Sequence, residues 1–463
     1  MGTLLDTDAL CEELGRIVGA EHAFQVGESS PYNYDATRVR ALQGRADAVV
    51  RPGSTAEVAA VLGWCYEHDI PLIPRGGGTG LAGGAVAIGG GVICSLERLR
   101  AVRELEPMLW RIHAEAGVST QHIQRLAREN GLFFPPDPGA SEQSQIGGNV
   151  ATNAGGPHAF KYGVTGNWVT GIEAVVPPGE VITVGGPYRK DVAGYDLKSL
   201  LVGSEGTLGV VTAVRLRLLP APEEAIALIA YQRNSEEGCE ALLEVLGSGV
   251  VPSALDFLDG DALAMVSRGP YGSISVPAGA GFALLVEVDG SRDEARAAHA
   301  ELTAVLGAEA IELQQPDTGV LWRWRDGLSA AVSGVRGGKV SEDIVVPVDR
   351  LAETLARFAQ IAARHGLQSC AWGHGADGNV HANLLVDPGN DAELQAAVRA
   401  TDELFELAVA MGGSISGEHG VGWLKRGKLA AQWSPAAVAL HEQIKRAFDP
   451  KGLLNPGKKL ARL

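Results

Sequence analysis

Apolar positions crowd together in residues 45–53 (RADAVVRPG), as they do in a buried strand. Ser54-Thr55-Ala56-Glu57 then reads as a capping box opening a helix that runs to about Asp69, and "IPLIPRGGG" follows as a strand entering a loop. Apolar residues at three- and four-residue spacing predict helices near 119–131, 292–308, 348–366, 391–412 and 434–448. Short β-rich segments lie between them at 91–96, 170–184, 208–219, 281–289, 342–348 and 380–386. The class is α+β. The Pro-rich stretch "LLPAPEEA" (218–225) is the best boundary, with dense glycines before it and helices with alternating strands after it. From about Gly412 the chain returns to glycine-rich loops, which predicts a tail folding back toward the first part. The expected division is 1–219, 220–412 and 413–463.

The pattern also singles out "GHGADGNVH" (373–381). Asp377-Gly378 is a strong two-residue hairpin signal. With that loop, Ala376 faces Asn379, Gly375 faces Val380 and His374 faces His381. Period-two alternation then puts His374, His381, Trp372 and Asn383 on one face. Two facing imidazoles suit a shared ligand better than they suit a core. "SISGEHGVGW" (414–423) adds Glu418 and His419, whose neighbouring side chains point opposite ways on extended backbone and so suit different jobs. Two His and one carboxylate are the usual protein ligands of an open catalytic zinc site, and non-haem Fe(II) uses the same set.

Composition narrows the classes. The chain has 463 residues, 46% apolar and 20% charged, so it is long enough for two or three domains, each with its own core. A net charge of −16 argues against nucleic-acid binding, which needs a concentrated basic face. Five scattered cysteines, without a C-x-x-C pair, favour a reduced cytoplasmic setting. No signal peptide is visible, and no apolar run approaches the ~20 residues of a membrane span. Peripheral association at the inner face of a membrane stays open. The outlier is glycine, 61 residues gathered in short runs, which means backbone approaching something closely.

One such run, "PRGGGTGLAGG" (74–84), contains a formal G-x-G-x-x-G, but the continuation "GAVAIGGGVICSL" lacks the helix a Rossmann loop needs, and no Gly-Lys-Ser/Thr follows for a P-loop. What remains is either a loop whose free backbone N–H groups suit a diphosphate, with Arg75 beside it, or a plain glycine-rich turn. "PPDPGASEQSQIGGNVATNAGG" (135–156) and "KDVAGYDLKSLLVGSEGTLGVVT" (190–212) follow at one-domain distances. Together these stretches resemble the FAD-binding domain of the vanillyl-alcohol oxidase/para-cresol methylhydroxylase superfamily. The C-terminal motifs narrow the resemblance to the branch of D-lactate dehydrogenases, D-2-hydroxyglutarate dehydrogenases and glycolate oxidase flavin subunits. It implies a two-part FAD-binding domain, an α+β cap domain and a short helical C-terminal segment.

Carried over residue by residue, the resemblance implies that Arg75, Gly76, Gly77, Gly78, Thr79 and Gly80 hold the FAD pyrophosphate. Pro136, Asp137, Ser144, Gly147, Gly148, Asn149 and Thr152 would line the cofactor with Gly163, Glu205 and Gly209, and Asn455 would reach it from "LLNPGK". No histidine lies between Arg75 and Gly84, so noncovalent FAD is expected. His374, His381 and Glu418 look like ligands of a divalent metal, with zinc favoured and manganese or iron open. His419 matches the catalytic base and Asn383 a substrate contact. "WRWRDGLSAAVSGVRGGKVSEDIVVP" (322–347) supplies Arg325 as the substrate arginine, with Ser329 and Lys339. Arg323 and Arg336 fit solvated surface charges.

The expected activity is oxidation of a D-2-hydroxy acid to the 2-oxo acid. Electrons would pass from FAD to a quinone, an electron-transfer flavoprotein or a cytochrome rather than to NAD. The rivals are a glycolate oxidase flavin subunit acting beside partner subunits and a flavin- and metal-binding module without turnover. A homodimer and an assembly with partner oxidase subunits stand as alternatives.

Overall fold

Ala48, Val49 and Val50 are wholly buried, as their run of small and β-branched side chains requires. They form β2 (Ala48–Val50) of a four-stranded sheet with β1 (Ala23–Phe24), β3 (Leu72–Arg75) and β4 (Val92–Ser95), in the order β1-β2-β4-β3. The computed structural model describes residues 6–40, 42–269 and 272–460. Helix α1 (Thr55–Glu67) joins β2 to β3, and Ser54 caps it by accepting from the Glu57 N–H at 3.2 Å. The returning half of the expected box lands one residue early: Glu57 accepts from the Gly53 N–H at 2.7 Å. A second, antiparallel sheet consists of β5 (Val102–Glu106), β6 (Arg111–Glu115), β7 (Val169–Val176), β8 (Glu180–Gly185) and β9 (Val210–Arg217), in the order β5-β6-β9-β7-β8. Helix α2 (Ile146–Thr152) packs on β9.

These elements belong to a first compact unit made of the chain up to Gly155, Val164–Ala221 and the segment from Glu418 onward. The last segment is fastened inside it. Lys445, beneath the surface, donates to Asp449 at 2.5 Å and to the carbonyls of Thr207 and Leu454 at 2.8 Å each. Asn455 donates to the carbonyls of Gly84 and Glu205 at 3.0 and 2.8 Å.

The second unit comprises Gly156–Gly163 and Pro222–Gly417. Its frame is a seven-stranded sheet of β10 (Glu224–Gln232), β11 (Ala254–Asp259), β12 (Phe282–Gly290), β13 (Glu312–Gln314), β14 (Gly338–Val345), β15 (Gln368–His374) and β16 (Asn379–Val386). The strand order is β13-β10-β12-β11-β15-β16-β14. One face buries Ile229, Leu258, Leu285, Trp372 and Leu385 against α3 (Gly260–Val266), α4 (Thr318–Asp326) and α5 (Leu328–Arg336). The other face carries Phe257 and Phe282, and Phe282 fits against Gly238 of the helix Ser235–Ser248. Strand β14 starts at Gly338 rather than near 342. Lys339, Ser341 and Asp343 occupy its alternate positions, so half of the strand lacks the apolar signature that marks a buried one.

Candidate active site

The register of the second sheet gathers polar side chains on the face that α3–α5 cover. Asp256 pairs with His374, Trp372 with His381, His381 with Asp343, and Asn383 with Ser341. Cross-strand partners share a face, so Asp256, His374, His381, Asn383, Ser341, Asp343 and Lys339 form a strip beside the apolar core.

The hairpin that carries the two histidines differs from the expected two-residue loop. His381 faces Trp372, not His374, and the chain turns through a short 3-10 stretch, Gly375–Asp377. Gly378 closes this turn at φ +66°, its N–H donating to the Gly375 carbonyl at 3.1 Å. A Cβ there would lie 1.9 Å from the Val346 carbonyl oxygen, so glycine is required both by φ and by space. The register moves by two residues, an even number, so the face assignment survives. His374 and His381 become diagonal neighbours with ring centroids 5.3 Å apart and planes at 88°. A ring nitrogen of each lies within 4.8 Å of the other, and a ring nitrogen of His381 also lies within 4.8 Å of a carboxylate oxygen of Asp343.

Two buried carboxylates hold the strip in place. Asp256 is 0% exposed and bridges two groups. It meets His374 Nδ1 at 2.7 Å through Oδ1 and Arg325 Nε at 2.9 Å through Oδ2. Burial alone would raise its pKa, but the His374 and Arg325 charges and hydrogen bonds outweigh that and bring it to about 2. Asp343 accepts from Asn379 Nδ2 at 2.6 Å, from Ser416 Oγ at 2.8 Å and from the Gly417 N–H at 2.8 Å. Neither aspartate is among the site residues expected from sequence, although Asp343 lies within the stretch 322–347. An Asp inside the apolar run "SALDFLD" was the signal for the first, because an isolated carboxylate is buried only with partners.

Arg325 lies on α4 with its side chain 12% exposed. Lys339 stacks its ammonium 4.3 Å from the Trp372 ring centre. Burial, reinforced by Arg325 and opposed by Cys370, lowers its pKa to about 8, and no carboxylate partners it among the described residues. Asn383 is wholly buried and donates to the His381 carbonyl at 2.7 Å; its Oδ1 receives no hydrogen bond among the described residues. Ser329 is exposed at the start of α5, and no hydrogen bond ties it to the strip among the described residues. Arg336 pairs with Glu393 at the surface, as expected of a solvated charge. One turn before Arg325, Trp322 Nε1 donates to Glu287 at 2.6 Å, and the same carboxylate meets His158 Nε2 at 2.9 Å and Ser253 Oγ at 3.2 Å.

In the first unit, Glu418 and His419 sit side by side with Oε1 and Nε2 3.8 Å apart, both mostly buried. A Cβ on Gly155 would lie 2.7 Å from Glu418 Oε2. The glycine loop after β3 leaves the backbone N–H groups of Gly76, Gly77, Gly78, Thr79 and Gly80 without a protein acceptor among the described residues. Gly77 packs so closely on the Gln143 carbonyl that a Cβ would lie 2.2 Å from it, while a Cβ on Gly80 or Gly148 would meet only open space. Orphaned donors beside open space suit a diphosphate. Arg75 braces this loop, donating to the carbonyls of Pro31 and Ala85 at 3.1 and 3.3 Å.

The other flavin-motif residues are mostly engaged with the protein. Ser144 Oγ lies 3.0 Å from Thr120 Oγ1, to which Asn149 also donates, and Thr152 Oγ1 donates to the Gly148 carbonyl at 3.1 Å. Pro136 accepts from Gln124 at 2.9 Å, Asp137 stands beside it, and Gly147 begins α2 against Ala116. Gly163 ends the short helix Ala159–Tyr162, and Gly209 lies buried just before β9. Glu205 accepts from the N–H groups of Val421 and Gly422 at 2.9 and 2.6 Å and ties the C-terminal segment to the first unit, as Asn455 does. Among the described residues, no helix is long and apolar enough to cross a membrane.

Residues 46–185 match the model of an FAD binding domain, and 221–459 match that of the FAD linked oxidases, C-terminal domain. The chain is 37% identical to a D-lactate dehydrogenase of Archaeoglobus fulgidus, over 94% of its own length and 96% of that protein's. It is 35% identical to the glycolate oxidase subunit GlcD of Bacillus subtilis over 93% and 92%. With the D-2-hydroxyglutarate dehydrogenase of Stutzerimonas stutzeri it shares 33% identity over 89% and 90%. The structure of p-cresol methylhydroxylase with bound substrate superposes with a TM-score of 0.83 at 17% identity, covering 100% of this chain and 98% of that one. The fold is the one expected: an FAD-binding domain followed by an α+β oxidase domain.

Proposed function

This chain belongs to the FAD-linked oxidases, and we propose that it oxidises a 2-hydroxy acid, of D configuration where chiral, to the 2-oxo acid using noncovalent FAD and a divalent metal. The observation that carries this reading is the strip on one face of the second sheet, where two imidazoles, a buried amide with an open acceptor and two cations lie together. The relatives named as dehydrogenases and oxidase subunits of 2-hydroxy acids agree with it.

Both groups fit the residues. The unused N–H groups of Gly76–Gly80 suit the FAD pyrophosphate, with Arg75 bracing the loop behind them. His374 and His381 suit a metal because Asp256 occupies Nδ1 of His374 and commits its opposite nitrogen to ligation. Glu418 is the third ligand by connectivity, since the Gly417 N–H is held by Asp343, the strand partner of His381, and Glu418 is the next residue. When bound, FAD accepts the α-hydrogen as hydride and the cation acidifies the substrate hydroxyl.

The chain's own groups do the rest. Arg325 anchors the substrate carboxylate, for which a guanidinium is the best cation. Lys339 adds a second positive charge, and Asn383 Oδ1 accepts from a substrate hydroxyl. The His419 imidazole takes the hydroxyl proton as general base. A quinone, an electron-transfer flavoprotein or a cytochrome then accepts the electrons.

The test is anaerobic bleaching of the flavin band by a panel of D- and L-2-hydroxy acids that includes glycolate, with and without a chelator. Selective bleaching by one D-acid or by glycolate, lost on chelation and restored by Zn²⁺, is expected. Bleaching indifferent to the chelator would remove the metal role of His374, His381 and Glu418. No bleaching by any acid would overturn the reading for the chain alone and favour a subunit that turns over only beside partners.

A further inference from the structure

Asp256 touches two groups that the proposed chemistry uses for different purposes. His374 Nδ1 lies 2.7 Å from one of its oxygens and Arg325 Nε 2.9 Å from the other. The carboxylate is 0% exposed, on the central strand β11, and its partners' side chains are 5% and 12% exposed. A simple ion pair fastening α4 to the sheet would need only the arginine. Spending the second oxygen on a histidine ring nitrogen does something more.

The contact fixes the imidazole tautomer: with Nδ1–H donating to the carboxylate, the lone pair resides on Nε2. It also fixes the guanidinium. Nε is the guanidinium nitrogen nearest the stem, so pinning it sets the rotation of the plane. The carboxylate anchor and the metal-facing nitrogen are thus held at a set separation by two oxygens of one rigid, buried group.

The geometry points to Asp256 as a positioning residue that sets the spacing between the substrate's carboxylate anchor, Arg325, and the metal ligand His374, and so selects acids whose hydroxyl is on the carbon next to the carboxylate. This deepens the proposed function and rests on it. In a 2-hydroxy acid the two functional groups are on adjacent carbons. A 3-hydroxy acid puts one more carbon between them, and a link without rotatable slack cannot follow.

The experiment uses the full-length flavoprotein and D256N. The amide is nearly isosteric and still accepts from Arg325 Nε, but its NH₂ donates to His374 Nδ1 and moves the ring proton to Nε2, where it blocks ligation. Zn²⁺ affinity, measured by competition with a chelating dye in the absence of substrate, is expected to fall about 10–100-fold. FAD content should be unchanged. With Zn²⁺ saturating, kcat for the preferred 2-hydroxy acid should fall more than KM rises, and its advantage over the 3-hydroxy isomer should shrink. A folded D256N with wild-type Zn²⁺ affinity and kcat/KM within threefold of wild type would reduce Asp256 to a structural tie.

Should D256N not fold, nitrogen-15 histidine spectra of metal-free wild-type protein, with H374Q to assign the signal, decide the matter. The Nδ1–H tautomer of His374 is expected, and the Nε2–H tautomer overturns the inference. Failure of the underlying function is separable, because wild-type protein would then neither bind Zn²⁺ at this site nor bleach with any 2-hydroxy acid.

Discussion

Replacing Lys339 with methionine should stabilise the fold while damaging catalysis. The ammonium is largely buried, with one flank open to water and no carboxylate partner among the described residues, and its pKa falls from 10.5 to about 8. That difference, 10.5 − 8 = 2.5 units, corresponds to ~3.4 kcal/mol at 1.36 kcal/mol per unit. Water at its exposed flank reduces the sum to roughly half. Losing the ammonium's contact with Trp372, 4.3 Å from the ring centre, returns about 0.5–1 kcal/mol. The net gain for K339M is about 1 kcal/mol below pH 8, or about 2–4 °C in Tm for a unit of this size.

The pH dependence has a definite sign. Between about 8 and 10.5 the unfolded chain binds more protons at this residue than the folded one, so wild-type stability rises with pH across that window. The advantage of K339M is therefore complete below pH 8 and disappears toward 10.5. Denaturant melts of both proteins from pH 7 to 9.5 would show the two curves converging, and KM for the acid substrate should be raised in the variant. A K339M protein less stable than wild type at pH 7, or a gap that is flat with pH, would refute the argument.

Three further perturbations test other parts of the framework. G378A places a Cβ 1.9 Å from the Val346 carbonyl oxygen at φ +66°; it should cost ~3 kcal/mol or more and lower zinc stoichiometry, read by melting and metal analysis. E287Q should cost ~1–3 kcal/mol at pH 7, because three donors converge on a carboxylate whose burial is outweighed by its His158, Trp322 and Ser253 partners, leaving its pKa lowered. That contribution is present above the unfolded carboxylate pKa of 4.5 and lost as pH falls through the lower folded value, so an equal penalty at pH 7 and pH 4 would contradict it. D449A leaves the Lys445 ammonium buried without its 2.5 Å partner and should cost ~3–5 kcal/mol, with earlier flavin release on heating. A shift under 1 kcal/mol would mean that water reaches the lysine.

What the sequence revealed follows from the range of the signals. The helices Thr120–Glu129, Arg292–Gly307 and Pro435–Phe448 announce themselves through local periodicity, and the observed bounds fall within one to two residues of the expected ones. The shared face of His374, His381, Trp372 and Asn383 was legible because alternation tolerates a two-residue slip; the pairing of the histidines was not, because loop closure depends on Val346, which lies outside the hairpin. The start of strand β14 is hidden in the sequence because its alternate positions Lys339, Ser341 and Asp343 are polar, which obscures the apolar pattern. Asp256 stayed hidden for a related reason. Its partners are 69 and 118 residues away, and no window along the chain reports a contact at that distance.

The way the chain threads its two units has a consequence for synthesis. It crosses between them four times, after Gly155, Gly163, Ala221 and Gly417, so neither unit is one uninterrupted stretch. The glycine loop is made early, yet the carbonyl of Gly84 waits for Asn455, and Leu72 at the start of β3 pairs with Leu454. On the ribosome the unit begun first thus waits for the second to be made, and the nascent flavin domain stays unclosed until Leu454 and Asn455 have emerged. A chimaera that exchanged the second unit between relatives would have to carry Gly156–Gly163 along with Pro222–Gly417, because a single cassette would divide a folded body.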